Sequence, residues 1–215
     1  MYRCYDIYGD SFEVVRKVKS LNTPMIETAR LILRKFTEAD ISTLFLILKD
    51  EEVNKFLPWY PMKNIKETKI FYEERYASKY AQPQGYAYAI CLKEDSVPIG
   101  YFHVSTDDSD ELGYGLRKEF WHTGIVTEAG KAIVEQLRKD KIPYITATHD
   151  INNPPSGEVM KRIGMKYQYS YEERVKPKNF LVTFRMYQLN LDGNTSRVYQ
   201  KFWDNASIHF VETDL

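Results

Sequence analysis

The hydrophobic and polar positions of this chain fall into alternating and helical runs in the order β, α, α, β, β, β, α, β, α, β, β. Residues 30–34 alternate as a first strand. Thr37, with Asp40 three residues on, offers a variant of the capping box, and Ile41, Leu44, Phe45 and Leu48 then recur at helical spacing. Pro58 and Pro61 halt regular structure and leave Trp59 and Tyr60 on a loop. Ile65, Thr68, Tyr72, Tyr76 and Tyr80 fit a second helix, closed around Pro83 to Gly85. Tyr86 to Leu92 and Pro98 to Val104 read as two strands of an antiparallel hairpin.

The stretch from Glu111 to Leu137 organises the remainder. Leu112, Tyr114 and Leu116 lie on one side of a short strand, and a turn ends at Gly124. Thr127 and Glu128 then open a helix with Val126, Ala129, Ile133 and Leu137 at helical spacing. Strand, turn and helix in that order aim free backbone N–H groups at an anion such as phosphate, although ordinary strand–helix connections look the same. A strand at 143–148 follows, and the crossover predicts that 111–116 and 143–148 run parallel in a right-handed βαβ unit. Ser156 is placed to cap a short helix presenting Val159, Met160 and Ile163 and ended by Gly164. Tyr167, Tyr169 and Tyr171 alternate as one sheet face, and 180–189 is a long final strand joined to them as a hairpin. The fold class is a mixed α/β domain with an antiparallel front half, one crossover and flanking helices.

Composition narrows the function. Lys+Arg 30 balances Asp+Glu 30, so bulk charge draws the chain to neither nucleic acid nor an anionic membrane. The longest apolar runs are too short to span a bilayer, and the first residues lack a signal-peptide layout, which makes a cytoplasmic protein the plain reading. Cys4 and Cys91 lie far apart and suggest no disulfide framework, and His103, His122, His149 and His209 have no metal-ligand spacing, so no metal is expected.

Residues 26–40, the loop at 56–59, the ELGYGL strand, the FWHTGIVTEA turn and NNPPSGEVMKRIGM together resemble the GNAT superfamily of acyl-CoA-dependent N-acetyltransferases. Within it they are most similar to the branch holding the ribosomal-protein N-terminal acetyltransferases. The resemblance covers about residues 26–191, leaving 1–25 as an N-terminal extension and 192–215 as a C-terminal appendage. It implies a mostly antiparallel sheet with acetyl-CoA inserted where the two central parallel strands part. The family's phosphate-binding pattern falls on Trp121, Gly124 and Val126, with only the glycine retained in strict form. The resemblance therefore assigns the cofactor to Tyr114, Gly115, Leu116, Trp121, His122, Thr123, Gly124, Ile125, Val126, Thr127, Asn153 and Ser156. Val126, bulkier than usual there, is expected to face the core.

Acetyl transfer needs a neutral amine, a donor for the developing oxyanion and a fate for the leaving thiolate. Glu111 matches a position where many family members carry the base. Ser156 either donates to the leaving sulfur or caps its helix. Met160 stands where many members place a tyrosine acid. His149 is either a relay to Glu111 or a loop histidine bonded to backbone, with the second reading favoured. Trp59, Tyr60 and Glu111 are expected at the acceptor site. The acceptor is the primary amine of a small molecule or of a protein N-terminus. The alternative from another class is an acyl-CoA-binding or protein-interaction module without turnover. Phe202, Trp203, Ile208 and Phe210 are too apolar for an idle tail, so the appendage is expected to pack on the domain or on a second subunit, as in a homodimer.

Overall fold

The structure is a computed structural model describing residues 22–213. Its first sheet takes β1 (Ile26–Glu27), β2 (Leu31–Arg34), β3 (Tyr86–Leu92), β4 (Pro98–Val104) and β5 (Leu112–Leu116) in chain order, every neighbour antiparallel. The second, ordered β6-β8-β7-β9, is built from β6 (Tyr144–Asp150), β7 (Lys166–Val175), β8 (Phe180–Asn190) and β9 (His209–Phe210), again antiparallel. The sheets join at a parallel bridge between Glu111 and Thr146. There the Thr146 N–H donates to the Asp110 carbonyl at 3.4 Å and its hydroxyl to the Ser109 carbonyl at 2.9 Å.

Beyond the bridge β5 and β6 part. The expected parallel pairing of 111–116 with 143–148 thus keeps its direction but shrinks to one point. Each strand is committed elsewhere: β5 is laddered along its length to β4, and β6 to β8. Two independently twisting sheets cannot remain in register across the seam.

Helices close both faces of the first sheet. On one side lie α1 (Ile41–Leu48), α2 (Ile65–Tyr72), a π-helical turn (Glu73–Ala77) and α3 (Ser78–Tyr80), burying Leu44, Ile47 and Tyr76 against Phe36, Ala89 and Tyr101. On the other, α4 (Ile125–Lys139) and α5 (Pro154–Arg162) bury Ile133, Leu137 and Met160 against Leu33, Tyr88, Phe102 and Ala147. Covered on both faces, β3 is buried almost continuously instead of alternating. In α1 the deep position falls on Ile47, while Phe45 is half-buried. The second helix runs without a break over 65–80, as its spacing predicts, but not as α-helix throughout. A π turn within it seats the buried Tyr76 ring 4.6 Å from Phe36.

The tyrosines of β7 do not share a face. Tyr167 pairs with Tyr187 and Tyr169 with the adjacent Met186, so Gln168 is an extra residue in a bulge and the side chains exchange sides there. Tyr167 packs toward the main core. Tyr169, Tyr171 and Met186 form a separate cluster under Val198, Tyr199, Phe202 and Trp203. The C-terminal segment, with α6 (Lys201–Asn205), therefore packs on its own domain, and β9 extends the second sheet beside β7. At the other end, buried Asn22 donates to the Lys79 and Gln82 carbonyls, both at 2.9 Å, tying the chain before β1 to the helical face. Cys4 lies outside the described residues; Cys91 is buried in β3.

The capping box at Thr37 closes a 3-10 turn leading into α1. Buried Asp40 accepts from the Thr37 N–H (2.8 Å) and hydroxyl (2.9 Å) and pairs with both terminal nitrogens of Arg34 (2.8 and 2.9 Å). Burial works to raise the Asp40 carboxyl, but Arg34 and Thr37 together hold it below its ordinary value. A depressed folded value contributes stability above the unfolded one, lost as the pH falls through the folded value. Asp40→Asn is expected to cost about 2 kcal/mol at pH 7 and to flatten the acid limb of stability against pH, measured by urea unfolding.

Candidate active site

After β5 the chain makes a 3-10 turn, Lys118–Phe120, and enters α4 through Trp121–Gly124. His122 (φ 62°) and Gly124 (φ 78°) both occupy the left-handed region. That conformation suits glycine and disfavours the side chain His122 carries there. Gly124 is the N-cap of the 15-residue α4 and offers no side chain, so the first N–H groups of the helix keep no capping partner. The helix begins at Ile125, earlier than Thr127 and Glu128 suggest. Glu128 turns back to accept from the Thr28 hydroxyl (2.6 Å) and the Arg30 Nε (2.7 Å), while Arg30 also donates to the Thr123 carbonyl (3.1 Å). The acid in the first turn is thereby neutralised away from the free N–H groups.

A cavity of about 850 Å³ opens between the parted strands. Its walls are β5, the turn and start of α4, the end of β6, the start of α5, and residues 52–57. Glu111 gives its carbonyl to the Ser105 N–H on the β4 side, whereas Asp110 gives its own to Thr146. Alternation along the strand then directs the backbone of Leu112 to Thr146 at the bridge and that of Tyr114 and Leu116 into the gap. The Leu116 carbonyl is met by the Trp121 indole N–H at 2.8 Å, which fastens the turn onto the strand.

At the apex of the fork the partly buried Glu111 accepts from the Thr148 hydroxyl at 2.7 Å. Burial raises its carboxyl above the ordinary value; Thr148 opposes this, and the charges of Asp107 and Glu173 reinforce it. On the opposite wall the Tyr114 hydroxyl lies 2.7 Å from both the carbonyl and the Oγ of Ser156. A phenol has one proton, so when it donates to the carbonyl the serine hydroxyl is left to donate to the phenol oxygen. Ser156 does not cap its helix: Asn153 is the N-cap, Pro154 and Pro155 fill the first positions, and Ser156 stands inside the first turn. Asn153 makes no side-chain capping bond and lines the cavity. Met160 is buried core, and no tyrosine stands there.

Tyr114, Gly115, Leu116, Trp121, His122, Gly124, Ile125, Val126, Thr127, Asn153 and Ser156 all line the cavity. Thr123 does not; it is exposed and braces the turn through its carbonyl and a 2.6 Å bond from its hydroxyl to Phe120. Val126 both packs on the core and borders the cavity, so the expectation that it faces the core is half met. His149 lies in β6, not in a loop, and alternation turns it away from Glu111: its Nδ1 is 2.8 Å from the Asp150 carbonyl and its ring lies against Tyr187 and Gly157. The relay reading falls on that geometry. His149 still borders the cavity, whereas Trp59 and Tyr60, like Thr123, do not reach it. The Trp59 indole turns inward to Asn54 Oδ1 (3.0 Å) and packs on Phe71, while Tyr60 is 58% exposed. Their place on the wall is taken by Val53, Phe56 and Leu57. Fully buried Asn54 fixes this loop by donating to the Ile47 and Asp50 carbonyls, and Lys178, from the β7–β8 hairpin, donates to the Asn54 and Lys55 carbonyls. Thr148 was missed; its alternation with Thr146 in β6 was the available signal. Among the described residues no three His, Cys, Asp or Glu side chains converge to hold a metal, and no helix is long and apolar enough to cross a membrane.

This forked sheet with an uncapped helix start at its mouth matches known proteins. A model of the acetyltransferase (GNAT) domain matches residues 30–166, well over half of the chain, and the chain belongs to that family. It is an acetyl-CoA-dependent acyltransferase. A Bacillus subtilis relative, the uncharacterised N-acetyltransferase YoaA, is 28% identical over 162 residues, covering 69% of this chain and 89% of the relative. The crystal structure of a GNAT-family acetyltransferase from Bacillus anthracis is 21% identical and superposes with a TM-score of 0.70 over 79% of this chain and 99% of its own. RimL, a ribosomal L7/L12 alpha-N-protein acetyltransferase in complex with coenzyme A, is 18% identical with a TM-score of 0.67 over 79% of this chain and 99% of its own.

A Cβ at Gly124 would meet only the far end of Arg30, at 3.8 Å, so the cost of one there is conformational. Gly124→Ala is expected to destabilise the fold by about 1 kcal/mol in urea unfolding. Asp110, beside the bridge, is pushed up to about 6 by burial and by Asp107 and Asp108. A raised folded value costs stability as the pH climbs past the unfolded value, in full above about 6. Asp110→Asn, tolerated at φ 44°, is expected to raise the melting temperature at pH 8 and leave it unchanged near pH 3.

Proposed function

We propose that the chain moves an acetyl group from acetyl-CoA directly to a primary amine, of a peptide N-terminus or a small molecule, within one domain spanning about 26–191. The observation that carries this reading is the convergence at the fork. Glu111 sits on Thr148 at its apex, free strand backbone runs along one wall, and an uncapped helix start lies at its mouth. The N–H groups at the start of α4 fit a pyrophosphate, the free backbone of Tyr114 fits an amide-bearing arm, and the Asn153 side chain fits its carbonyls. An apolar patch of Phe56, Leu57 and Phe184 faces the acceptor side.

In this scheme Glu111, its carboxyl raised so that it takes up a proton readily, receives the proton of the attacking amine. The amine nitrogen bonds to the thioester carbon, the negative charge on the oxygen is met by strand N–H groups, and the carbon–sulfur bond breaks. Ser156, held by Tyr114, donates a hydrogen bond to the departing sulfur, which leaves as a thiolate and takes its proton from solvent as coenzyme A departs, in the place a tyrosine at Met160 would otherwise serve. RimL, by its name a protein N-terminal acetyltransferase, supports the peptide alternative by likeness of fold.

Calorimetry with acetyl-CoA is expected to show one site, and a panel of primary amines is expected to release free thiol in its presence. Glu111→Gln is expected to lower kcat by about 10²–10⁴-fold with acetyl-CoA affinity retained, and Ser156→Ala to lower it less. Undiminished turnover in Glu111→Gln would remove it as the base.

A further inference from the structure

The C-terminal segment lies beyond the matched family residues, 30–166, yet it packs on the sheet face that carries Thr148. Thr148, which holds Glu111, pairs with Met186, and Met186 with Tyr169; Asp150 pairs with Phe184, and Phe184 with Tyr171. Thr148, Tyr169 and Tyr171 thus share one face of the second sheet, set by the bulge at Gln168. Tyr171 is 4% exposed, and burial first, then the Glu111 charge, raises its phenol above the ordinary value. Behind it the Phe202 ring stacks flat, with centroids 5.5 Å apart and planes at 7°. Phe202 is held edge-on by Tyr199 at 5.0 Å, and Trp203 meets Tyr169 at 5.3 Å. The segment is anchored beyond by Glu212, which pairs with Arg185 and accepts from Ser170.

We infer that the C-terminal segment is part of the acetyl-transfer machinery: Phe202, through Tyr171, forms the wall that keeps water from Glu111 and holds its carboxylate on Thr148. Tyr171 and Phe202 are positioning residues, and their importance for turnover rests on the reading of Glu111 as base. The groups acting on Glu111 are Thr148 from β6, Asp107 from the turn before β5, and Glu173 and Tyr171 from β7. Burial is the largest influence and raises the carboxyl; the Thr148 bond lowers it. Opening the wall and removing the bond must therefore move the titration of Glu111 in opposite directions. A segment that merely adds stability would leave the titration unmoved when Phe202 is changed.

The test needs no acceptor. The full chain is labelled with ¹³C-carboxyl glutamate, the Glu111 resonance is assigned by its loss in Glu111→Gln, and its midpoint is followed by NMR against pH. Phe202→Ala is expected to shift the midpoint down, toward an ordinary glutamate, and Thr148→Val to shift it up. If Phe202→Ala does not fold, Phe202→Leu, which keeps bulk but loses the stacked ring, is titrated instead and is expected to shift it down. An unchanged midpoint in whichever folded Phe202 variant is titrated overturns the inference, whatever Glu111→Gln does to turnover. A downward shift alongside undiminished turnover of Glu111→Gln supports the wall and retires only the proposed base.

Discussion

The parting of β5 from β6 just past the Glu111–Thr146 bridge is the constraint on which the rest depends. A strand in the middle of a sheet spends its backbone groups on two neighbours, but past the bridge β5 has a neighbour, β4, on one edge alone. What is left over on its other edge becomes binding surface. The same divergence makes room for a cavity of about 850 Å³ without a hole in either core, because each sheet keeps its own helical or aromatic cover.

The turn into α4 completes the cavity by a second unspent set of donors. Its geometry depends on two left-handed residues and on Trp121 bonding back to Leu116. The acid that would compete for those N–H groups, Glu128, is drawn off by Thr28 and Arg30 from the β1–β2 turn. The front edge of the first sheet thus keeps the helix start available, and pieces far apart in sequence set one local electrostatic condition.

The second sheet is covered differently on its two faces. One face shares the main core with α4 and α5; the other is covered by the C-terminal segment, through stacked and edge-on rings instead of a long helix. The switch between faces is the single extra residue at Gln168. Without it Tyr169 and Tyr171 would point at the main core, and the segment from 198 onward would lose the two tyrosine rings it packs on.

Local chemistry made much of this legible in the chain. The apolar spacing of α4, the bounds of β3 and β4, the Thr37–Asp40 box and the Gly124 turn all depend on near neighbours, and the motifs around Glu111, Gly124 and Asn153 located most of the cavity wall. The sequence by itself also determined that the strands at 111 and 144 run parallel, since a crossover helix permits little else. Tertiary structure alone decided where that pairing stops, because two ladders formed with distant strands compete for β5 and β6. It alone turned Trp59 inward onto Asn54 and His149 away from Glu111, brought Thr148 under that carboxylate, and flipped the face of β7. Each of these depends on which partner lies opposite, and periodicity carries no record of partners.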